Sequence, residues 1–273
     1  MNRSWKHDGS HRTRATLCGL LALGLGLAPS AHAQGYSTDL ELVRPVFSHK
    51  GLPGIDTPVM AAQPTLRTGL MYQYERDPLI LYQFGQEVGG EGNGAVVKDR
   101  NYVALGVSYD FTPAVGARLI LPMAMHGGSD VPELEADGFG IEDASIGVRF
   151  RAFQVGGFSL GARADFTAPI GTKESFHGEQ GLRTGAGLLA MFETGPLSVM
   201  LDTNLMTRSK EELAEDWTNS TQIAVNTGVR YWAIPDRLAV WMAEISRGGL
   251  SNFWSGGAEN AIELLGGVEY KPV

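Results

Sequence analysis

The sequence predicts an all-β chain that closes as a transmembrane, antiparallel, up-and-down β-barrel of about ten strands, within a range of roughly 8–12. Three observations predict it. Segments of about ten residues, alternating apolar and polar, recur to the end of the chain. The connections between them alternate between short turns and long polar loops. The charged residues of these segments fall on one face, opposite an almost wholly apolar one. No window beyond the first thirty or so residues sustains a helical period.

The start of the chain reads as a leader. Arg3, Lys6, Arg12 and Arg14 precede an apolar run, Leu17 to Ala28, and a small-residue cleavage site, Ala31-His32-Ala33. Residues 1–33 are therefore expected to be a secretory signal peptide, cleaved near Ala33. The run is too short and glycine-rich to span a bilayer. No adjacent arginines mark the twin-arginine route, and Cys18 opens the apolar run instead of following it, against a lipoprotein. The whole chain of 273 residues has 22 Lys and Arg against 30 Asp and Glu. Taking away the leader's four basic residues and its one acid, Asp8, leaves 18 against 29. So acidic a chain is a poor nucleic-acid binder. Its single cysteine lies in the leader, so no thiol or disulfide is expected in the exported part.

Residues 34–63 differ in kind. The stretch "RPVFSHKGLPGIDTPVM" contains Pro45, Pro53, Pro58 and two glycines, which argues against regular structure. This segment is expected in the periplasm or inside the barrel as a plug, with a loosely ordered terminus as the alternative.

From residue 64 the barrel begins. Its alternating segments are 65–75, 102–111, 115–124, 141–152, 158–168, 183–193, 197–207, 221–232, 238–247 and 261–270. Short turns follow every second one: "TPA" from Thr112, "QVGG" from Gln154, "TGP" from Thr194 and "AIPDR" from Ala233. Long loops, 76–101, 125–140, 169–182, 208–220 and 248–260, follow the others. Short turns on the periplasmic side and long loops outside are the pattern of bacterial outer-membrane barrels.

The two faces sort by parity. Leu66, Leu70, Tyr72 and Tyr74, then Val103, Leu105, Val107, Tyr109, Phe111, Leu121, Val148, Phe150, Leu188, Phe192, Val199, Leu201, Val229, Tyr231, Trp241, Ile245, Leu264 and Tyr270 share the expected lipid face. Aromatics gather near segment ends, as an interfacial girdle requires. The expected interior carries a charge network: Arg67, Asp110, Arg118, Asp143, Arg149, Arg163, Asp165, Arg183, Asp202, Arg230, Glu244, Glu263 and Glu269, with Glu75 beside them. An uncompensated arginine at the bilayer midplane costs roughly 2–4 kcal/mol in a barrel, so these residues must point inward. A soluble two-sheet fold with the polar face in water is the alternative.

The strings "DPLILYQF" (77–84), "VVKDRNYVALGVSYDF" (96–111), "IEDASIGVRFR" (141–151), "TAPIGTKESFHGEQG" (167–181), "MAEISRG" (242–248) and "IELLGGVEY" (262–270) resemble the barrel portion of OmpA-family outer-membrane proteins of the myxobacterial type. The resemblance covers most of residues 40–270 and rests on strand patterns, not on catalytic signatures. In such proteins further strands, calcium-binding-like repeats and a soluble peptidoglycan-binding domain follow the barrel. This sequence stops at "YKPV" with no peptidoglycan-binding part, so that activity is not carried over.

Candidate chemistry is sparse. "GFSLG" (157–161) matches a nucleophile elbow, which needs a strand-turn-helix, whereas Ser159 opens a strand. His49, His126 and His177 stand far apart in irregular stretches with no partner at ligand spacing, so no metal and no cofactor is expected. The loop "SDVPELEADG" (129–138) gathers Asp130, Glu133, Glu135 and Asp137 without an EF-hand's order. "KEELAEDW" (210–217) reads as a short helical cap, and "GEGNGA" (90–95) lacks the lysine and helix of a phosphate loop.

The expected function is an integral outer-membrane barrel of the Gram-negative cell envelope, structural and non-enzymatic, its interior filled by paired charges. A narrow porin or transporter channel for small solutes is the alternative, and a lipid-acting barrel enzyme comes third. The expected partners are outer-membrane lipid, lipopolysaccharide and the barrel-assembly machinery, with the chain a monomer.

Overall fold

Ten strands pair antiparallel in chain order in the computed structural model: β1 (Thr65–Ile80), β2 (Ala95–Thr112), β3 (Val115–His126), β4 (Ala144–Val155), β5 (Phe158–Ala168), β6 (Arg183–Thr194), β7 (Leu197–Thr207), β8 (Gln222–Ile234), β9 (Leu238–Gly249) and β10 (Ala261–Tyr270). The structure describes residues 43–80, 82–83, 86–87, 94–131, 136–172, 176–178, 181–207, 211–214, 217–219, 221–250 and 261–271. No helix occurs among them. The expected leader, Glu133, Glu135 and most of "GEGNGA" lie outside the described residues.

Short turns follow β2, β4, β6 and β8, and long connections follow the odd-numbered strands. Gly156, Gly195 and Asp236 take positive φ in three of these turns, the conformation a tight hairpin demands. The long connections carry structure of their own. Gly138–Ile141 forms a short strand on β3, pairing from Met123↔Ile141 to His126↔Gly138. Residues 210–217 correct an expectation: Glu211–Ala214 and Trp217–Asn219 form a hairpin, not a helical cap. They follow the last β7–β8 pair, Met206↔Gln222, so hairpin pairing overrides the helix-forming composition of "KEELAE". β1 and β2 also run farther than the alternation indicates, pairing Arg76 with Asp99 and Leu79 with Val97. Charged residues beyond the apolar band hide that extension from a period-2 reading.

A flat sheet would hold β3 and β7, four strands apart, about 19 Å from each other. Asp56 reaches both: its carboxylate accepts from Arg118 of β3, and its backbone N–H donates to Asp202 of β7. The sheet is therefore curled into a half-barrel around residues 43–62. Closure is found only in part. β1 and β10 remain the two edges of the sheet, with no ladder joining them among the described pairings.

The convex face is apolar and bare. Leu70 is 67% exposed, Met242 70% and Leu264 76%, within a belt of Leu, Val, Ile, Phe and Tyr that runs across every strand from β1 to β10. One strand departs from the parity read in the sequence. On β9, Ile245 is buried and Trp241 packs inside, while Val240 and Met242 are exposed. Glu244, paired with Leu264, consequently lies on the outer face, a correction to its expected interior position. In "LAVWMAEIS" both faces are largely apolar, so alternation alone carries no parity.

Candidate functional site

Residues 43–62 are what the curled sheet encloses, and they hold it on two different surfaces. One is apolar: Leu52, Ile55 and Val59 pack against Met191 of β6, Met200 of β7, and Ala243 and Ile245 of β9, with Trp241 and Leu265 at the margin. Burying side chains such as Leu52 and Ile55 stabilises by about 1.5–3 kcal/mol each. The other is ionic and begins one residue after Ile55.

Asp56 is fully buried. Its Oδ2 accepts from Arg118 Nη1 at 2.8 Å, and its Oδ1 lies 3.3 Å from Arg149 Nη1. Arg149 continues to Asp110 of β2 (3.0 Å) and to the carbonyl of Thr57 (3.0 Å). Asp110 also accepts from Arg67 of β1 at 2.6 Å and from the backbone N–H of Ala61 at 2.9 Å. Arg118 in turn donates to Asp165 of β5 at 2.6 Å. Arg163 lies 3.4 Å from Asp165 and 3.0 Å from Asp202. Four arginines (67, 118, 149, 163) thus meet four aspartates (56, 110, 165, 202) in one continuous net. The strands supply all four arginines but only three of the aspartates; the N-terminal segment supplies the fourth. Buried charges persist only when paired and hydrogen-bonded, so Asp56 neutralises an excess that the wall cannot neutralise itself.

The other residues expected in the network divide. Arg183 meets Asp143 at 3.3 Å, and Asp143 also accepts the N–H of Gly171, tying loop 169–182 to the start of β4. Arg230 donates to the carbonyls of Lys50 (2.6 Å) and Gly51 (3.0 Å) and lies 3.4 Å from Glu269. Glu263, on β10 opposite Ile245, is half-buried and has no bond to the main net among the described residues. Glu244, on the outer face, accepts from Ser246 at 3.1 Å. Ser159, the serine of "GFSLG", lies within the β5 ladder opposite Gln154 and Met191, with no helix after it.

Further bonds from the segment reach almost around the sheet. Lys50 pairs with Glu193 of β6 at 2.8 Å, Asn226 of β8 donates to the Gly54 carbonyl at 2.9 Å, and Ser108 of β2 donates to the Phe47 carbonyl at 2.8 Å. Phe47 occupies a slot over the paired glycines Gly69 and Gly106, where a Cβ on Gly106 would come within 1.7 Å of its ring. Two cavities of about 20 Å³ border the segment at Arg44, one reaching Arg163 and Asn226, the other Arg118 and Arg183. Each is about the size of one water molecule.

Asp56 and the segment's apolar anchors carry no sequence signal beyond "GIDTPV", an unremarkable turn-rich string. Arg100 was likewise hidden: it is buried at the end of β2 that the alternation misses, and pairs with Glu75 at 2.9 Å and Glu142 at 2.6 Å. Comparison with known protein families gives no matching model, and comparison with curated proteins gives no match.

Proposed function

We propose that this chain is an integral outer-membrane β-barrel protein with a structural role in the Gram-negative cell envelope, its bore occupied by residues 43–62 and the charge net they complete. The observation that carries the reading is the convex face. An apolar belt that crosses all ten strands is more than scattered surface apolar residues, and its alternation with a charged concave face is the pattern expected of a barrel wall in lipid. The girdle residues Tyr72, Tyr74, Tyr231 and Tyr270 are all exposed on that face.

In lipid an open sheet edge is untenable, because its unpaired N–H and C=O groups find no water. The reading therefore requires the edges of β1 and β10 to be satisfied in the membrane. The OmpA-type resemblance, the signal peptide, the periplasmic short turns and the contacts with lipopolysaccharide and the assembly machinery all belong to this proposal. A monomer suffices for it. A wide pore is disfavoured by the water-sized spaces beside the segment.

Heat-modifiable gel mobility of the chain refolded in detergent tests the reading. A faster band before boiling, converting to a slower one after it, with β-type circular dichroism, is expected. Solubility without detergent and no change on boiling would sink it.

A further inference from the structure

At the end of the sheet that bears the long connections, a second cluster stands apart from the four-arginine net. His126 is the last residue of β3, Glu142 lies in the two-residue break before β4, and His177 sits in the connection between β5 and β6. All three are buried, and one nitrogen or oxygen of each lies within 4.8 Å of the other two. The imidazoles stack with centroids 4.1 Å apart and planes 19° from parallel. Neither ring nitrogen of His177, which is 2% exposed, makes a well-formed hydrogen bond, and the backbone of Gly138 lies beside the ring.

A buried imidazole without a well-formed hydrogen bond is costly, and a ligand to one of its nitrogens would recover part of that cost. Glu142 is held in place by Arg100, which donates to both its oxygens (2.6 and 2.8 Å) and to Glu75 (2.9 Å).

We propose that His126, Glu142 and His177 form a binding site for a divalent transition-metal ion of the zinc class. Two imidazoles and a carboxylate are a zinc ligand set, with a fourth position for water. Binding turns the rings out of their stack so that one nitrogen of each converges on the ion. The ion then cross-links the end of β3, the start of β4 and the connection holding His177, three pieces distant in sequence. The site stands whether or not the sheet lies in a membrane.

Zn²⁺ titration of the refolded full chain by calorimetry, with Co²⁺ read by its visible absorption, tests the site. One tight equivalent is expected in the parent, lost in His126→Gln and in His177→Gln, and at least tenfold weaker in Glu142→Gln. Controls His32→Gln and His49→Gln should retain it. Zn²⁺ should raise the unfolding temperature of the parent but not of His177→Gln. Should the histidine variants fail to show the folded gel band, Gly140→Ala decides: a Cβ there would come within 2.4 Å of the His177 ring, so it displaces a ligand without deleting one. Weaker binding in Gly140→Ala supports the site. Equal Zn²⁺ stoichiometry and affinity in the parent and the folded variants overturns it.

Discussion

Asp56, from the irregular segment ahead of the first strand, lies 2.8 Å from Arg118 of β3 and so joins the segment to the wall by a buried ion pair. The pair makes the segment part of the electrostatics of the sheet. Without Asp56, the four arginines of the net face three aspartates.

Asp56→Asn keeps the shape and removes the charge. It is expected to destabilise the folded chain by about 3–5 kcal/mol, less where water fills the gap, because breaking a buried pair strands its partner. Denaturant unfolding in detergent measures it. Combining it with Arg149→Gln should cost less than the sum of the single changes, since the two groups share one net.

The slot beneath Phe47 offers a test that leaves the charges alone. Gly106→Val fills the space the ring occupies, so the segment should detach from β1 and β2. Trypsin cleavage at Lys50, held in the parent by Glu193, should then speed up tenfold or more, the effect of about 1.4 kcal/mol of easier opening. An unchanged cleavage rate would show that Phe47 does not anchor the segment.

The outer face predicts opposite outcomes at neighbouring strands. Leu121→Arg, Val148→Arg or Leu201→Arg should each cost roughly 2–4 kcal/mol near the midplane of a bilayer. Glu244→Leu, beside Met242 and Leu264 on that same face, should instead stabilise the chain, by up to about 1 kcal/mol. Unfolding in lipid vesicles measures both; a loss of stability in Glu244→Leu would return that residue to the interior.

Orientation is open to labelling, because Cys18 is the chain's only cysteine. In intact cells, a cysteine at Ser129, after β3, should react with a membrane-impermeant thiol reagent, while one at Thr194, at the β6–β7 turn, should be protected. The reverse pattern would invert the barrel.

How much of this was legible in the sequence depended on which face a residue served. Where one face meets water or paired charge and the other stays apolar, as in "SIGVRF", the alternation shows both the strand and the face each side chain takes. On β9 it failed, because the concave side there meets Leu52 and Ile55 and is as apolar as the convex side. Arg100 and the far ends of β1 and β2 escaped because polar residues beyond the apolar band carry no period. Asp56 and the pairing of His126 with His177 escaped for a different reason. Both are contacts between distant pieces of chain in irregular structure, where no local spacing foreshadows the meeting.

The central claim is a membrane barrel whose bore the N-terminal segment fills, and planar-bilayer recording tests it most directly. The refolded chain, first shown by co-flotation to be inserted in liposomes, should give little or no steady conductance. A variant lacking residues 43–62, which loses both the apolar anchors and Asp56, should give discrete open channels. A stable, large open state in the parent chain would contradict the account and favour a porin.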